Sequence, residues 1–247
     1  MTTAYQYKIR LEKQNEVRTD LLFPVEEDKI DKSISKSVVR SVSYQTAEKV
    51  ILEYEWLRSM PASAMFQFGI YFGGYCGGVE VFGGYPDENM WKTYKWKPVA
   101  IHIHRGACVH WTPVGTASHL ISECLKWFRN NTPYRVFTAT VDEEAGEIGT
   151  IYQACGFDYI GKYGESGHGR FFVDGKEIHP RTLYSMHGTS ARDKIKAIYG
   201  NRVVVHEKQN FKKWYFKFIG SRKEIKENRK TIEKLIKPYP KRDEVKK

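Results

Sequence analysis

Residues 99–128, VAIHIHRGACVHWTPVGTASHLISECLKWF, contain the segment that decides the fold. The first part, Val99–Trp111, is rich in β-branched and apolar residues and predicts a strand. Thr112–Thr116 holds a proline and a glycine, which indicate a turn. A helix is expected over Ala117–Phe128, where apolar residues recur at helical spacing. These residues are Leu120, Ile121, Cys124, Leu125 and Phe128. A strand, turn and helix in this order predict an α/β domain.

The flanking segments continue this alternation of strands and helices. Ser43 or Thr46 is expected to cap a helix that runs to Leu57. Two β-prone runs, Met65–Phe72 and Tyr75–Phe82, are separated by Gly73-Gly74 and predict a tight hairpin. After the central helix come a predicted strand, a helix and a strand, at Tyr134–Val141, Ala145–Cys155 and Phe157–Ile160. The whole order predicts a mixed β-sheet flanked by helices, within the α/β (α+β) class.

The ends of the chain differ from this central part. Alternating residues at Tyr5–Leu11 predict a strand, and Arg222–Ile236 has the spacing of a charged amphipathic helix. We therefore expect three parts: an N-terminal extension over residues 1–43, a catalytic core over 44–164 and a basic C-terminal extension over 165–247.

The positive charge lies at the C-terminal end. The chain has a net charge of +11. Residues 201–247 hold 16 Lys and Arg against 6 Asp and Glu, a net of +10, so the first 200 residues, with 24 against 23, have a net of +1. A basic segment attracts phosphate groups, which makes a nucleic acid or another polyanion the expected partner, although a solubilising tail has the same composition.

Several other classes of protein are disfavoured by the sequence. No run of eighteen apolar residues predicts a membrane span, and residues 1–10 do not have the pattern of a signal peptide. The four cysteines are widely spaced, which favours reduced thiols over disulfides or a cysteine-only zinc site. We therefore expect a cytoplasmic protein without a membrane partner. Its oligomeric state cannot be read from these patterns.

Two motifs in the central segment could bind a ligand. Gly115, Thr116 and Ala117 open a helix, where backbone N–H groups and the helix dipole favour a phosphate, although an ordinary loop has the same sequence. His102 and His104 alternate on the predicted strand and should share one face with Gly106. With a carboxylate they could hold a metal, but the simpler interpretation is that both are ordinary strand residues.

A known superfamily shares two of these features. The turn with Gly115 and Ala117 resembles the coenzyme A loop of GNAT acetyltransferases, although Thr112 stands where that pattern has Arg or Gln. Tyr152 followed by Gly156-Phe157 resembles the end of the same coenzyme-binding core. The resemblance implies a GNAT-like fold and a Tyr152 that acts as a general acid.

A longer resemblance covers roughly residues 46–164. Arg105–Trp111, Ala117–Ile121 and Thr140–Gly156, together with Tyr54–Leu57 and Met60-Pro61, are similar to the Mom family of phage DNA modification proteins, a divergent GNAT-fold group. The resemblance implies transfer of a carbamoylmethyl-type group to adenine N6 in DNA, which protects phage DNA from host restriction.

The resemblance also implies site residues. Arg105, Asp142 and Tyr152 match the family's catalytic positions, and Trp56 matches an aromatic that would stack on the base. Glu55 stands where a histidine is expected, so a histidine role is absent there and Glu55 joins Trp56 as a substrate-side residue. The simpler alternatives are that Asp142 caps the next helix and that Tyr152 and Trp56 are packed in the core.

The donor and the substrate remain open at this level. Acetyl-coenzyme A or another acyl donor would suit the turn, and whether a metal is needed stays open. One alternative is an acetyl-CoA-dependent N-acetyltransferase that acts on a small amine or a protein. Another is a non-catalytic DNA-binding protein on the same fold, which would bind DNA in a salt-dependent way without changing its mass.

Overall fold

A computed structural model describes residues 4–15, 29–84, 89–96, 98–142, 145–166, 170–178, 180–206 and 210–241. The chain forms two compact units. One contains residues 1–161 together with 213–247, and the other contains residues 162–212. The end of the predicted C-terminal extension thus belongs to the same unit as the predicted core. Part of the predicted N-terminal extension, residues 16–28, lies outside the described residues.

Ten strands and eight α-helices are named here in chain order. The strands are β1 Val38–Ser41, β2 Ala64–Phe72, β3 Tyr75–Gly83, β4 Ala100–Cys108, β5 Val136–Asp142, β6 Asp158–Ser166, β7 Arg170–Val173, β8 Lys176–Ile178, β9 Val203–His206 and β10 Asn210–Phe218. The helices are α1 Tyr5–Asn15, α2 Tyr44–Tyr54, α3 Asn89–Thr93, α4 Thr116–Asn131, α5 Thr150–Ala154, α6 Pro180–His187, α7 Arg192–Tyr199 and α8 Arg222–Lys230.

The main sheet has seven strands in the order β1-β2-β3-β4-β5-β10-β6. Strands β1 to β4 pair antiparallel with their neighbours, and β4 pairs parallel with β5. Strand β10 lies between β5 and β6, so the basic C-terminal segment supplies an interior strand of the sheet. The predicted mixed sheet flanked by helices, an α/β fold, is therefore confirmed. No described helix has the length and the apolar character that crossing a membrane requires.

The predicted hairpin and central helices form for the expected reasons. Gly73 and Gly74 have φ values of +55° and +96°, which the tight turn between β2 and β3 requires. Ser43 caps α2, because its side chain accepts a hydrogen bond from the Thr46 amide. The apolar stripe of α4 is buried, and Phe128 contacts the rings of neighbouring strands edge to face.

Three predicted elements differ from the structure, and one of them, the predicted helix Arg222–Ile236, ends at Lys230. The prediction of a strand at Tyr5–Leu11 is wrong, because these residues begin helix α1. Side chains four residues apart in this segment, Gln6, Arg10 and Gln14, each donate to backbone carbonyls at or after the end of β4, and a helix is needed to align them. The predicted helix from Ala145 is shorter, because Gly149 has a φ of +75° and the helix begins at Thr150.

The second unit has its own sheet and core. Strands β8, β7 and β9 form an antiparallel sheet in that order. Its core includes Phe171, Leu183 and Ile195. Helices α6 and α7 are tied by a 2.6 Å hydrogen bond between His187 Nε2 and the Tyr199 hydroxyl.

Candidate active site

Strands β4 and β5 separate at their carboxyl ends. They pair from Ala100 to Ile103 on β4 and from Val136 to Ala139 on β5. Strand β4 then continues to Cys108 and β5 continues to Asp142. Because the strands are parallel, these ends meet at the same edge of the sheet, where ligands bind in α/β proteins. Residues 104–108 and 140–142 are called the β4–β5 opening below.

Arg105 is buried beside this opening. Its Nε donates to the Ser59 carbonyl over 3.2 Å, and its Nη1 donates to the His104 carbonyl over 2.7 Å. The Nη2 atom is also buried but has no hydrogen-bond partner among the described residues. An unsatisfied buried donor of this kind costs about 1–3 kcal/mol, so Nη2 is a ready partner for an incoming oxygen.

Glu55 is the ion-pair partner of Arg105. It follows α2 directly, is 5% exposed, and its Oε2 lies 3.8 Å from Arg105 Nε. The same oxygen accepts a 2.8 Å hydrogen bond from the Leu57 amide. Glu55 is therefore fixed on both sides, and its charge compensates that of the buried guanidinium.

Two further carboxyl groups, Asp142 and Glu147, belong to the same electrostatic cluster as Glu55. Asp142 is the last residue of β5 and is half-buried. Glu147 follows it, and burial raises the pKa of Glu147 from 4.5 to about 7, with the charges of Glu55 and Asp142 adding to the effect. Glu147 can thus gain or lose a proton near neutral pH, as a general acid or base must.

Tyr152 lies on α5 and joins this group of carboxyls. Its ring packs against Phe157 and Tyr215, with centroids 5.4 and 5.6 Å apart. Burial raises the pKa of Tyr152 well above its ordinary value, and the carboxyl groups of Glu80, Glu147 and Glu55 raise it further once they are ionised. The hydroxyl therefore stays protonated at neutral pH. The ring is packed, as the simpler interpretation predicts, while the hydroxyl is available as a donor.

The capping interpretation of Asp142 is not supported by the structure. The N-cap of α5 is Gly149, and no side chain caps that helix. Asp142 precedes the helix by several residues. The carboxylate at the end of β5 therefore lies by the β4–β5 opening without serving as the cap of α5.

Helix α1 covers the ring of Trp56. The ring of Tyr5 stacks on Trp56, with centroids 6.4 Å apart and an angle of 20° between the rings. The next residue of the helix, Gln6, donates from Nε2 to the Gly106 carbonyl over 2.6 Å. Trp56 is thus half-buried next to the opening, and one face of its ring contacts Tyr5 in this structure.

The predicted coenzyme turn has the geometry of an anion site. Gly115 has a φ of +93° at the N-cap of α4, a conformation that favours glycine. Thr116 is buried and its hydroxyl donates to the Pro113 carbonyl, while Ala117 is half-buried. Arg10 Nη2 donates to the Thr112 carbonyl over 2.8 Å. Helix α1 thus brings a guanidinium to the position where the acetyltransferase pattern has Arg or Gln.

The two strand histidines take part in other contacts. His102 Nδ1 hydrogen-bonds with the Thr138 hydroxyl at 2.8 Å, and His104 Nε2 lies 2.7 Å from the Gly84 carbonyl. A bulge gives β4 an extra residue at His104, which reverses the alternation beyond it. The prediction that Gly106 shares their face is therefore wrong. Within the described residues, no group of three or more metal-ligating side chains occurs.

Sequence patterns did not identify two carboxyl residues of this region, Glu80 and Glu147. Glu80 is 4% exposed and interrupts an otherwise apolar strand, Gly77–Gly83, which is the signal that could have revealed it. Glu147 stands in an acidic run after β5, where acidic residues are ordinarily exposed. Its burial depends on the tertiary fold and leaves no local signal.

Comparison with known proteins gives one family and one curated relative. The profile of the Mom protein family matches residues 36–241. The relative is the methylcarbamoylase Mom of Escherichia phage Mu, which is 30% identical over 130 residues, or 52% of this chain and 51% of that protein. The chain thus spans about half the length of the curated relative that it matches.

Two solved structures that align with the chain are an N-acyl amino acid synthase and a spermidine N-acetyltransferase. An N-acyl amino acid synthase from uncultured soil microbes is 13% identical, covers 79% of this chain and 94% of its own, and has a TM-score of 0.44. A spermidine N-acetyltransferase from Vibrio cholerae, in complex with CoA and spermine, is 10% identical, covers 74% and 96%, and has a TM-score of 0.40. These similarities are too distant to assign a ligand or an activity.

Proposed function

The chain belongs to the Mom protein family, and from this premise we propose that it is a transferase that attaches an acyl or carbamoylmethyl-type group to adenine N6 in DNA. The phage Mu relative carries the name methylcarbamoylase, which fits a group of this kind. Modified adenine would then protect phage DNA from host restriction enzymes that contact N6 in the major groove.

The observation that carries this proposal is the group of side chains at the β4–β5 opening. Arg105 has a buried Nη2 that meets no partner in the described part of the chain, Glu147 titrates near pH 7, and Tyr152 keeps its proton. Electrostatic coupling links Glu147 to Asp142 and Glu55, and Glu55 to Arg105. A base, an acid and an unsatisfied cation in one place are what a group transfer to an amine requires.

In the proposed step, adenine N6 attacks the carbon of the transferred group. Asp142 accepts a hydrogen bond from N6 and takes the proton that N6 loses, and Glu147 beside it provides a second proton acceptor. The bond between the carbon and the leaving group breaks, and Tyr152 donates a proton to the leaving group. Arg105 Nη2 holds a negatively charged oxygen of the donor or the DNA.

Trp56 would hold the base during this step. An adenine inside a duplex is hard to reach with a bulky donor, so the base is expected to leave the stack and pack on an aromatic ring. Trp56 is the aromatic next to Glu55, and its partner in this structure is Tyr5. A base would take the place of the Tyr5 ring.

The donor is proposed to bind at the turn before α4. Gly115 leaves the backbone accessible, since a Cβ atom at this position would meet only Ile34 Cδ1 at 3.5 Å. Amide groups in the first turn of α4 and the guanidinium of Arg10 would bind a phosphate. These residues suit acetyl-CoA or another acyl donor with phosphate groups.

Contact with the DNA backbone is proposed for α8 within the C-terminal extension. Several basic side chains of the extension are tied to the fold: Lys217 donates to the Cys155 carbonyl, and Arg229 forms a bidentate pair with Asp158. Other basic residues of α8 are exposed and form what is called the α8 surface, namely Arg222, Lys223, Lys226 and Lys230. Their charge would attract phosphates.

The test is the mass of deoxyadenosine in DNA from cells that express the protein. We expect a new, heavier nucleoside and resistance of the DNA to restriction. The Asp142→Asn variant should show neither, whereas Asp31→Asn, which changes an exposed carboxylate far along the chain from the opening, should show both. Unmodified adenine with folded protein present would contradict the proposal. Acetylation of a free amine would instead identify the acetyltransferase alternative, and salt-dependent DNA binding without a mass change would identify the non-catalytic one.

A further inference from the structure

Glu80 is a buried acid that the proposed mechanism does not use. It lies in the middle of β3, is 4% exposed and stands directly opposite Gly106 of β4. Among the described residues, no hydrogen bond or ion pair involves its side chain. A carboxyl in such a position is rare, since buried acidic groups are ordinarily paired.

Gly106 makes room for this acid. A Cβ atom on Gly106 would lie 2.2 Å from Glu80 Oε2 and 2.7 Å from both Cδ and Oε1. The carboxyl therefore rests on the α-carbon of Gly106, where any other residue would displace it. Gly106 lies beyond Ile103, the last β4 residue that pairs with β5, so the acid lies against the β4 side of the β4–β5 opening.

The surroundings of Glu80 favour its neutral form. Among the described residues, the charge of Glu80 acts on Tyr152 and on three cysteines, Cys108, Cys124 and Cys155, none of which carries a positive charge. Burial raises the pKa of Glu80 well above its ordinary value. At neutral pH the side chain is therefore a carboxylic acid with an O–H group that can donate.

We propose that Glu80, as a neutral acid, donates a hydrogen bond to the carbonyl oxygen of the transferred group, and that residue 106 is glycine so that the acid can reach it. Where the transferred group is an acyl group, N6 attacks its carbonyl carbon, and the O–H group would stabilise the negative charge that develops on the carbonyl oxygen until the bond to the leaving group breaks. Glu80 keeps its proton throughout, while Asp142 accepts the proton of N6 and Tyr152 donates a proton to the leaving group. Neutral acids that serve as donors in apolar sites are known in enzymes. This inference rests on the proposed function.

Two substitutions separate this role from the alternatives. Glu80→Gln keeps a neutral donor of nearly the same shape and should retain activity within about threefold, measured as the rate of adenine modification. Glu80→Leu removes the donor and should lower the rate about a hundredfold or more. Equal loss in both variants would mean that Glu80 acts as a base, and full activity in both would mean that it has no role. Either result overturns the inference.

Infrared difference spectra of wild type and Glu80→Gln provide a measurement that does not depend on turnover. At pH 8 the wild type should show the C=O band of a protonated carboxyl that the variant does not have. A missing band overturns the inference even if the enzyme is active. Melting temperatures identify a variant that fails to fold, and in that case the wild-type spectrum tests whether a protonated carboxyl is present. If wild-type protein modifies no adenine, the proposed function and this inference both fail. If wild type and Glu80→Leu modify it equally, only this inference fails.

Discussion

Replacing Glu147 by glutamine should make the stability of the protein less dependent on pH. The folded-state pKa of Glu147 is about 7, whereas the ordinary value is 4.5. Between these two values the folded protein holds a proton that the unfolded chain has lost. Stability from this group is therefore fully present below pH 4.5 and is lost as the pH rises through 7. Glutamine cannot ionise, so the variant should not show this loss.

The size of the effect follows from the two pKa values. Their difference, at about 1.4 kcal/mol per pH unit, sets an upper limit of about 3 kcal/mol on the amount by which Glu147 can change the free energy of unfolding between low and high pH. The side chain of Glu147 is partly exposed to solvent, which reduces the expected effect to about 1–2 kcal/mol. Glu147→Gln should thus become more stable than the wild type by this amount at pH 8, and the two should converge near pH 4.5.

Urea unfolding of both proteins at several pH values between 4.5 and 8 measures the difference directly. Glu227→Gln is the matched control, because its carboxylate is exposed on α8 and its 4.0 Å ion pair with Lys223 is weak. The control should follow the wild type at every pH. Parallel curves for Glu147→Gln and the wild type would refute the argument, since they would show that Glu147 titrates alike in the folded and unfolded states.

Three further outcomes are expected. Tyr152→Phe should lower the rate of adenine modification at least about a hundredfold. Tyr159→Phe, which changes a tyrosine that packs on the same Tyr215 ring, should not lower it. Nucleoside products measure the activity of each variant, and melting temperatures show whether it is folded. Gly149→Ala should lower the free energy of unfolding by more than about 1 kcal/mol and by more than Gly175→Ala, because both glycines have positive φ but only at Gly149 would the Cβ meet the Tyr215 ring, at 2.5 Å. Neutralising the three lysines of the α8 surface should reduce the slope of log affinity for DNA against log salt by up to about 3, and an unchanged slope would move the contact elsewhere.

The elements that could be predicted from the sequence are those with local causes. Gly73-Gly74 requires a tight turn, and the apolar stripe of α4 requires a buried helix face, whatever the rest of the chain does. Helix α1 has no such cause. The alternation at Tyr5–Leu11 suits a strand as well as a helix, and the choice depends on contacts of Gln6 and Arg10 with residues about a hundred positions away.

The candidate site divides in the same way. Arg105, Asp142 and Tyr152 were predicted because a resemblance names their positions, and the fold places them near one opening. Glu80 and Glu147 escaped prediction, because what distinguishes them is burial, which arises only when β3, β4 and the segment before α5 come together. The net charge of the C-terminal extension likewise does not reveal that β10 is an interior strand of the sheet.

The features that are costly for the fold are the ones that the chemistry needs. Glu80 has no partner among the described residues, Arg105 has a buried nitrogen without an acceptor, and Glu147 ionises against the charges of Glu55 and Asp142. Each of these lowers the stability of the folded state. A bound donor and an extruded base would supply oxygen and nitrogen atoms as hydrogen-bond partners for these groups. If the proposed substrates bind here, these costs would be relieved on binding, which would concentrate the binding energy on the atoms that react.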